Sequence, residues 1–138
     1  GLEPAPALDM ALDALPGRKV IFTNGSVAHA ERVMARLGVA RHFDAIFDIA
    51  AGDFVPKPSP EPYRTVVSRF GLEATRTVMI DDVARNLAPA ASLGMTTVWI
   101  RSYSPYSKEG SDGDHIHHVA DDLAAWLTAL PVSADGSR

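Results

Sequence analysis

The chain has 138 residues, 46% of them hydrophobic and 22% charged, which suits one globular domain with a core of its own. A net charge of −4 without any basic run argues against a nucleic-acid or anionic-membrane partner, yet leaves room for a phosphorylated ligand met by local cations or a metal. There is no cysteine, which excludes disulfides, thiol nucleophiles and thiolate metal sites, and no apolar run nears the ~20 residues that cross a bilayer. With no visible signal peptide, a cytoplasmic enzyme or binding domain is expected.

In chain order, Leu8, Leu12 and Leu15 recur at helical spacing until Pro16-Gly17 stops the run. Lys19 to Thr23 reads as a buried strand closed by Asn24-Gly25. Ala28 to Leu37 is helical, with Val33, Met34 and Leu37 inward and Gly38 as C-cap. A second strand lies in Ala45 to Ile49, followed by a Gly- and Pro-bearing loop that carries Lys57. Pro60 and Pro62 suit the first turn of a helix that runs to Gly71. Thr77 to Ile80 is the third strand, Leu87 to Leu93 a helix stopped by Gly94, and Thr96 to Ile100 the fourth strand. Ser102 to Asp114 reads as a polar loop, His117 to Val119 as a short edge strand, and Asp121 to Leu130 as a last helix. Residues 131–138 read as a flexible tail and 1–130 as one domain. Strands alternating with helices give the fold class: α/β, a three-layer Rossmann-like sandwich with a mainly parallel sheet.

Ligands of such sheets sit at the carboxyl ends of the strands. Three groups fall there or in the loop that follows: Thr23-Asn24-Gly25-Ser26, Lys57 between prolines, and the acid pair Asp81-Asp82 after Val78-Met79-Ile80. A threonine hydroxyl, an asparagine and the free N–H groups of the helix after Ser26 suit phosphate oxygens. Lys57 adds positive charge, and adjacent carboxylates are hard ligands suited to Mg²⁺. Singly, each has a plainer explanation: a capped turn, a solvated lysine, an N-cap by Asp82. Together and in this order they describe a site for a phosphoryl group and a divalent cation. Asn86, four residues beyond Asp82, is a supporting residue or a surface helix residue. The histidines show no convincing metal spacing, and Trp99 and Trp126 read as packing residues.

On these residues the chain resembles the haloacid dehalogenase (HAD) superfamily of phosphohydrolases. Ile21-Phe22-Thr23-Asn24-Gly25 resembles its second motif, Lys57-Pro58 its third, and Met79-Ile80-Asp81-Asp82 through Asn86 its fourth. Phe22 to Gly25 followed by His29-Ala30-Glu31-Arg32-Val33, with Lys57 to Tyr63 and Leu93 to Val98, is most similar to the pyrimidine 5′-nucleotidase-like branch. The resemblance implies that Thr23, Asn24 and Gly25 bind the phosphoryl group and that Lys57 offsets its charge, with Thr23 and Lys57 as the catalytic pair present. It implies Asp82 as a direct Mg²⁺ ligand, Asp81 as a second, direct or through water, and Asn86 in support.

The family's first motif, an Asp-x-Asp whose first acid attacks phosphorus and whose second acts as general acid and base, is absent. Its strand would lie between those bearing Thr23 and Asp81, so the central strand of the sheet is expected to be missing. The small helical cap is missing too, apart from the helix near Ala5 to Leu15. With Gly1 first and Met10 within a helix, the chain reads as the C-terminal portion of a longer enzyme, its N-terminal segment in cis or on another chain. The expected function is a Mg²⁺-dependent phosphomonoester hydrolase of nucleotides or sugar phosphates, with this chain inactive alone. The competing class is a non-catalytic phosphate- or metal-binding fragment. A phospho-receiver is disfavoured because receivers place the acid pair first, and a dinucleotide domain because no G-x-G-x-x-G follows the first strand.

Overall fold

The computed structural model describes residues 2–130, so the tail expected over 131–138 lies outside the described residues. Helix α1 (Pro6–Ala14) leads to strand β1 (Val20–Phe22), helix α2 (Val27–Leu37) and strand β2 (Ala45–Phe47). Helix α3 (Pro60–Phe70), strand β3 (Val78–Asp81), helix α4 (Ala88–Ser92) and strand β4 (Thr96–Ile100) follow. Helix α5 (Pro105–Lys108), strand β5 (His118–Ala120) and helix α6 (Leu123–Thr128) complete the order. All strand pairs are parallel, as the alternating pattern predicts for a Rossmann-like α/β fold.

The chain divides into two compact units. The first comprises residues 2–51 and 123–130. Here α1 begins on Pro6, where a missing N–H costs nothing, and turns Ala11 and Leu12 inward against Val39 and Leu127. Leu8, Leu15, Met34, Leu37, Phe43, Leu123 and Trp126 pack around them. Leu12, Val39 and Leu127, the larger buried members, each contribute roughly 1.5–3 kcal/mol. Ser26 caps α2 by accepting from the His29 N–H at 3.1 Å, and Gly38 ends it at φ +75°, where a Cβ would strain the chain. Strand β1 pairs β2 with Ile21 opposite Ile46, and Phe22 meets Phe47 edge-on with ring centroids 5.6 Å apart.

The second unit is Gly52–Asp122. Its sheet has the order β3-β4-β5, with Asp81 opposite Trp99 and Trp99 opposite Val119. Ala84, Leu87 and Trp99 form a core cluster with Met79 and Ile116. Thr97, fully buried in β4, donates its hydroxyl to the His115 carbonyl and accepts from the His117 N–H, while His117 Nδ1 accepts from the Thr97 N–H at 3.0 Å. His115 Nε2 bonds the Ala84 carbonyl at 3.1 Å. These two histidines therefore tie the backbone together. The strands thus form two sheets, in which β1 bonds β2 and β3 bonds β4 along one edge each among the described residues.

Several boundaries differ from the sequence expectation. The helix expected over Leu87 to Leu93 is α4, one residue shorter at each end, and a 3₁₀ turn, Ala84–Leu87, leads into it, because Pro89 lacks the N–H that would extend regular helix back through it. The polar stretch from Ser102 contains α5, whose Ser104 accepts from the Ser107 N–H and whose Pro105 occupies the first turn. The last strand pairs one residue later than expected, and α6 is shorter at both ends.

Candidate active site

Strand β3 ends at Asp81 and delivers its carboxylate into buried surroundings within the second unit. A charge there is costly unless it is paired. Lys57 supplies the pair: its Nζ lies 2.8 Å from Asp81 Oδ2, with the two side chains only 8% and 7% exposed. The lysine reaches this position from a tight loop, in which Val55 N–H donates to the Gly52 carbonyl and Ser59 N–H to the Pro56 carbonyl, both at 3.0 Å. The Lys57–Pro58 peptide is cis. Asp81 Oδ1 accepts from the Val83 N–H at 2.8 Å, and Asn86 Nδ2 makes a longer approach of 3.4 Å to Oδ2. Asp81 is thereby fixed by a lysine, an amide and the main chain.

Asn86 is 4% exposed, and its Oδ1 is buried without a hydrogen-bond partner. Such an orphaned acceptor is rare and asks for a donor or a cation. Tyr63, buried on α3, donates its hydroxyl to the Asn86 main-chain carbonyl. Burial raises the Tyr63 hydroxyl above its ordinary range, and the Asp81 charge adds to this, so it remains a proton donor. Asp82 follows Asp81 with its carbonyl held by Trp99 Nε1 at 2.9 Å. Its side chain is exposed, yet partial loss of hydration raises its carboxyl above 3.8, and the neighbouring Asp81 charge pushes the same way. No side chain caps the 3₁₀ turn that follows, so capping does not account for Asp82.

These residues fit a hard divalent cation. Two adjacent carboxylates at a strand end and a buried amide oxygen lacking a partner are oxygen donors of the kind Mg²⁺ takes, with water completing its shell. Among the described residues no group of three or more His, Cys, Asp or Glu is arranged to hold a metal, so a cation here would depend on water and phosphate oxygens for most of its shell.

The other predicted residues belong to the first unit. Thr23 follows β1, donates its N–H to the Phe47 carbonyl at 3.0 Å and accepts from the Gly25 N–H at 2.9 Å through its hydroxyl. Gly25 N–H is thus satisfied locally, and its carbonyl accepts from Ile49 N–H at 3.1 Å. A Cβ on Gly25 would sit 3.3 Å from His29 Cδ2 and 3.4 Å from Thr23 Oγ1, so a larger residue here would shift the His29 ring by a few tenths of an ångström. Asn24 occupies the turn before the Ser26 cap of α2.

The structure thus joins Lys57, Asp81 and Asn86 in one hydrogen-bonded group, with Asp82 adjacent in sequence. It adds two residues that the sequence pattern did not single out for roles. Tyr63 and Arg85 both act on main-chain carbonyls, of Asn86 and Tyr106, and a carbonyl partner leaves no residue type to recognise.

A family model described as haloacid dehalogenase-like hydrolase matches residues 2–94. The phosphoglycolate phosphatase of Rhodospirillum rubrum is 34% identical over 128 residues, covering 89% of this chain and 51% of that protein. The fructose-1-phosphate phosphatase YqaB of Escherichia coli is 31% identical over 104 residues, covering 72% of this chain and 53% of the relative. The chain therefore spans about half the length of the curated relatives it matches. Among solved structures, a HAD phosphatase from Thermococcus onnurineus superposes with a TM-score of 0.69 at 22% identity, covering 96% of this chain and 57% of that one. A dehalogenase gives 0.72 at 21%, covering 91% and 54%. The chain belongs to the haloacid dehalogenase-like hydrolase family.

Proposed function

We propose that this chain forms the phosphate- and metal-binding portion of a Mg²⁺-dependent phosphomonoester hydrolase that works through an aspartyl-phosphate. The observation that carries this reading is the buried Lys57–Asp81–Asn86 group beside Asp82 at the carboxyl end of β3. In a stable core without a functional demand, an apolar trio of similar volume would serve as well or better. Lys57 offsets charge on the phosphoryl oxygens, Asp82 and Asp81 hold the cation, and Asn86 steadies Asp81. Thr23, Asn24 and Gly25 take phosphoryl oxygens. When bound, Mg²⁺ would neutralise developing phosphoryl charge. The attacking Asp belongs to a segment outside these residues, in cis or on another chain, a reading supported by the half-length match to relatives.

We read residues 1–130 as one HAD-like core domain. The named relatives favour a sugar phosphate or a short phosphorylated acid, and a nucleoside monophosphate remains the substrate of the nucleotidase-like branch. No helix among the described residues is long and apolar enough to cross a membrane.

The test is phosphate release from a panel of small phosphomonoesters by the full-length protein, with and without Mg²⁺. Turnover that needs Mg²⁺ and falls at least ~100-fold in Lys57→Ala is expected. The isolated 138-residue chain should show none. Metal-independent turnover, or full activity in Lys57→Ala, would overturn the reading.

A further inference from the structure

Parallel pairing places Asp81 opposite Trp99, so the segment leaving β4 after Ile100 emerges on the same rim of the sheet as Asp81 and Asp82. That segment carries two exposed aromatic side chains, Tyr103 at 79% and Tyr106 at 60%. Exposed aromatics at the end of a strand are unremarkable when the chain around them is loose. Here it is anchored at both ends. Arg101 N–H donates to the Ala120 carbonyl at 2.8 Å, and its Nε meets Asp121 Oδ1 at 2.6 Å. Ser104 caps α5.

Arg85, three residues after Asp82, closes the far end. Its Nη1 donates to the Tyr106 carbonyl at 3.0 Å and to Glu109 Oε2 at 3.2 Å, and its guanidinium lies 3.8 Å from the Tyr106 ring centroid. One ring face is therefore covered by a cation, which fixes the ring and leaves its other face and edge outward. Arg85 thus ties the tyrosine-bearing segment to the turn between the two residues of greatest interest for the cation, Asp82 and Asn86. Glu109 offsets the guanidinium charge, so this surface attracts by ring stacking more than by charge.

We infer that Tyr103 and Tyr106 form an aromatic wall that contacts the organic part of the substrate, selecting phosphomonoesters whose organic part is a ring over short acyclic ones, with Arg85 as the positioning residue that holds the wall in place. This rests on the phosphomonoester reading above and deepens it. A sugar ring or a nucleobase presents the flat or C–H-rich face that a tyrosine stacks on, whereas a two-carbon acid presents none.

The experiment is calorimetric titration of the full-length protein in chelator with uridine 5′-phosphate, ribose 5-phosphate and phosphoglycolate, on wild type, Tyr103→Ala, Tyr106→Ala and Arg85→Ala. Expected is a fall of about tenfold in the affinity ratio of ring-bearing ligand to phosphoglycolate in each variant, with phosphoglycolate affinity itself unchanged. Loss for the uridine ligand alone assigns the wall to a base, and loss for both ring ligands assigns it to the sugar. Thermal melting checks folding, and Tyr103→Phe should retain the wild-type ratio. An unchanged ratio in Tyr103→Ala and Tyr106→Ala, or an equal loss for all three ligands, overturns the inference. Because binding is read without turnover, a fallen ratio in a protein that releases phosphate from no member of the phosphomonoester panel would keep the wall and reject the hydrolase.

Discussion

Two charged clusters of this molecule use bonds of similar length in opposite surroundings. In the second unit Lys57 and Asp81 meet at 2.8 Å with both side chains nearly sealed from solvent. In the first unit Arg41 spans Asp9 at 3.1 Å and Asp13 at 3.2 Å, but the arginine is 61% exposed. The second arrangement is what a folded chain does with surface charge, and water screens it to little net effect. The first must overcome the desolvation of two ions, which a core seeking only stability would avoid. Distance alone says nothing about purpose. Burial of a matched charge beside a further carboxylate and an unsatisfied amide oxygen is the informative feature.

The sharpest way to break the comparison is to remove one partner from each cluster. Lys57→Ala leaves the Asp81 carboxylate buried and unpaired, which should destabilise the protein by about 3–5 kcal/mol in urea unfolding. The double variant Lys57→Ala/Asp81→Ala should lose clearly less than the sum of the single changes. Arg41→Ala should leave the unfolding midpoint almost unmoved. A large loss in Arg41→Ala, or a negligible one in Lys57→Ala, would reverse the distinction drawn here.

Tyr63→Phe probes the support of the buried group. It strips the donor from the Asn86 carbonyl and should cost about 1–3 kcal/mol, with a weaker Mg²⁺ response than its stability loss alone explains. Ser26→Ala removes one cap in the first unit and should cost about 1 kcal/mol, seen as a shift in melting temperature.

The smallest effect concerns pH. A hydrogen bond from His42 Nε2, 2.6 Å away, holds the Asp9 carboxyl below its ordinary 3.8, with the Arg41 charge assisting against partial desolvation. A depressed folded value means that this stabilisation is complete above 3.8 and is lost as pH falls through the folded value. The melting-temperature gap between wild type and Asp9→Asn should therefore be widest near neutrality and close at pH values below 3.8. A gap that persists into strong acid would show that the carboxylate charge is not its source.

Much of this was legible in the sequence because it is local chemistry. Gly38 and Gly71 end their helices in left-handed geometry, Pro60 starts one, and alternating strands and helices foretold parallel pairing. The Lys57 and Asp81 pairing was foreshadowed only as two groups in the same kind of place, and the bond itself needed three dimensions. Helix α5 escaped because its four residues are too few to show a period, although Ser104-Pro105 is a capping signal. Two of the histidines near β5 bond the backbone, at Thr97 N–H and the Ala84 carbonyl, pairings that residue spacing does not reveal. Tyr63 and Arg85 were out of reach because their partners include carbonyls.

The most direct measurement of the central claim is equilibrium titration of Mg²⁺ into the full-length protein and its Asp82→Asn variant. One Mg²⁺ site is expected in the wild type, weakened at least ~10-fold in Asp82→Asn while the melting temperature without metal is unchanged or higher, as relief of a repelled carboxyl allows. Equal Mg²⁺ affinity in the two proteins would contradict it.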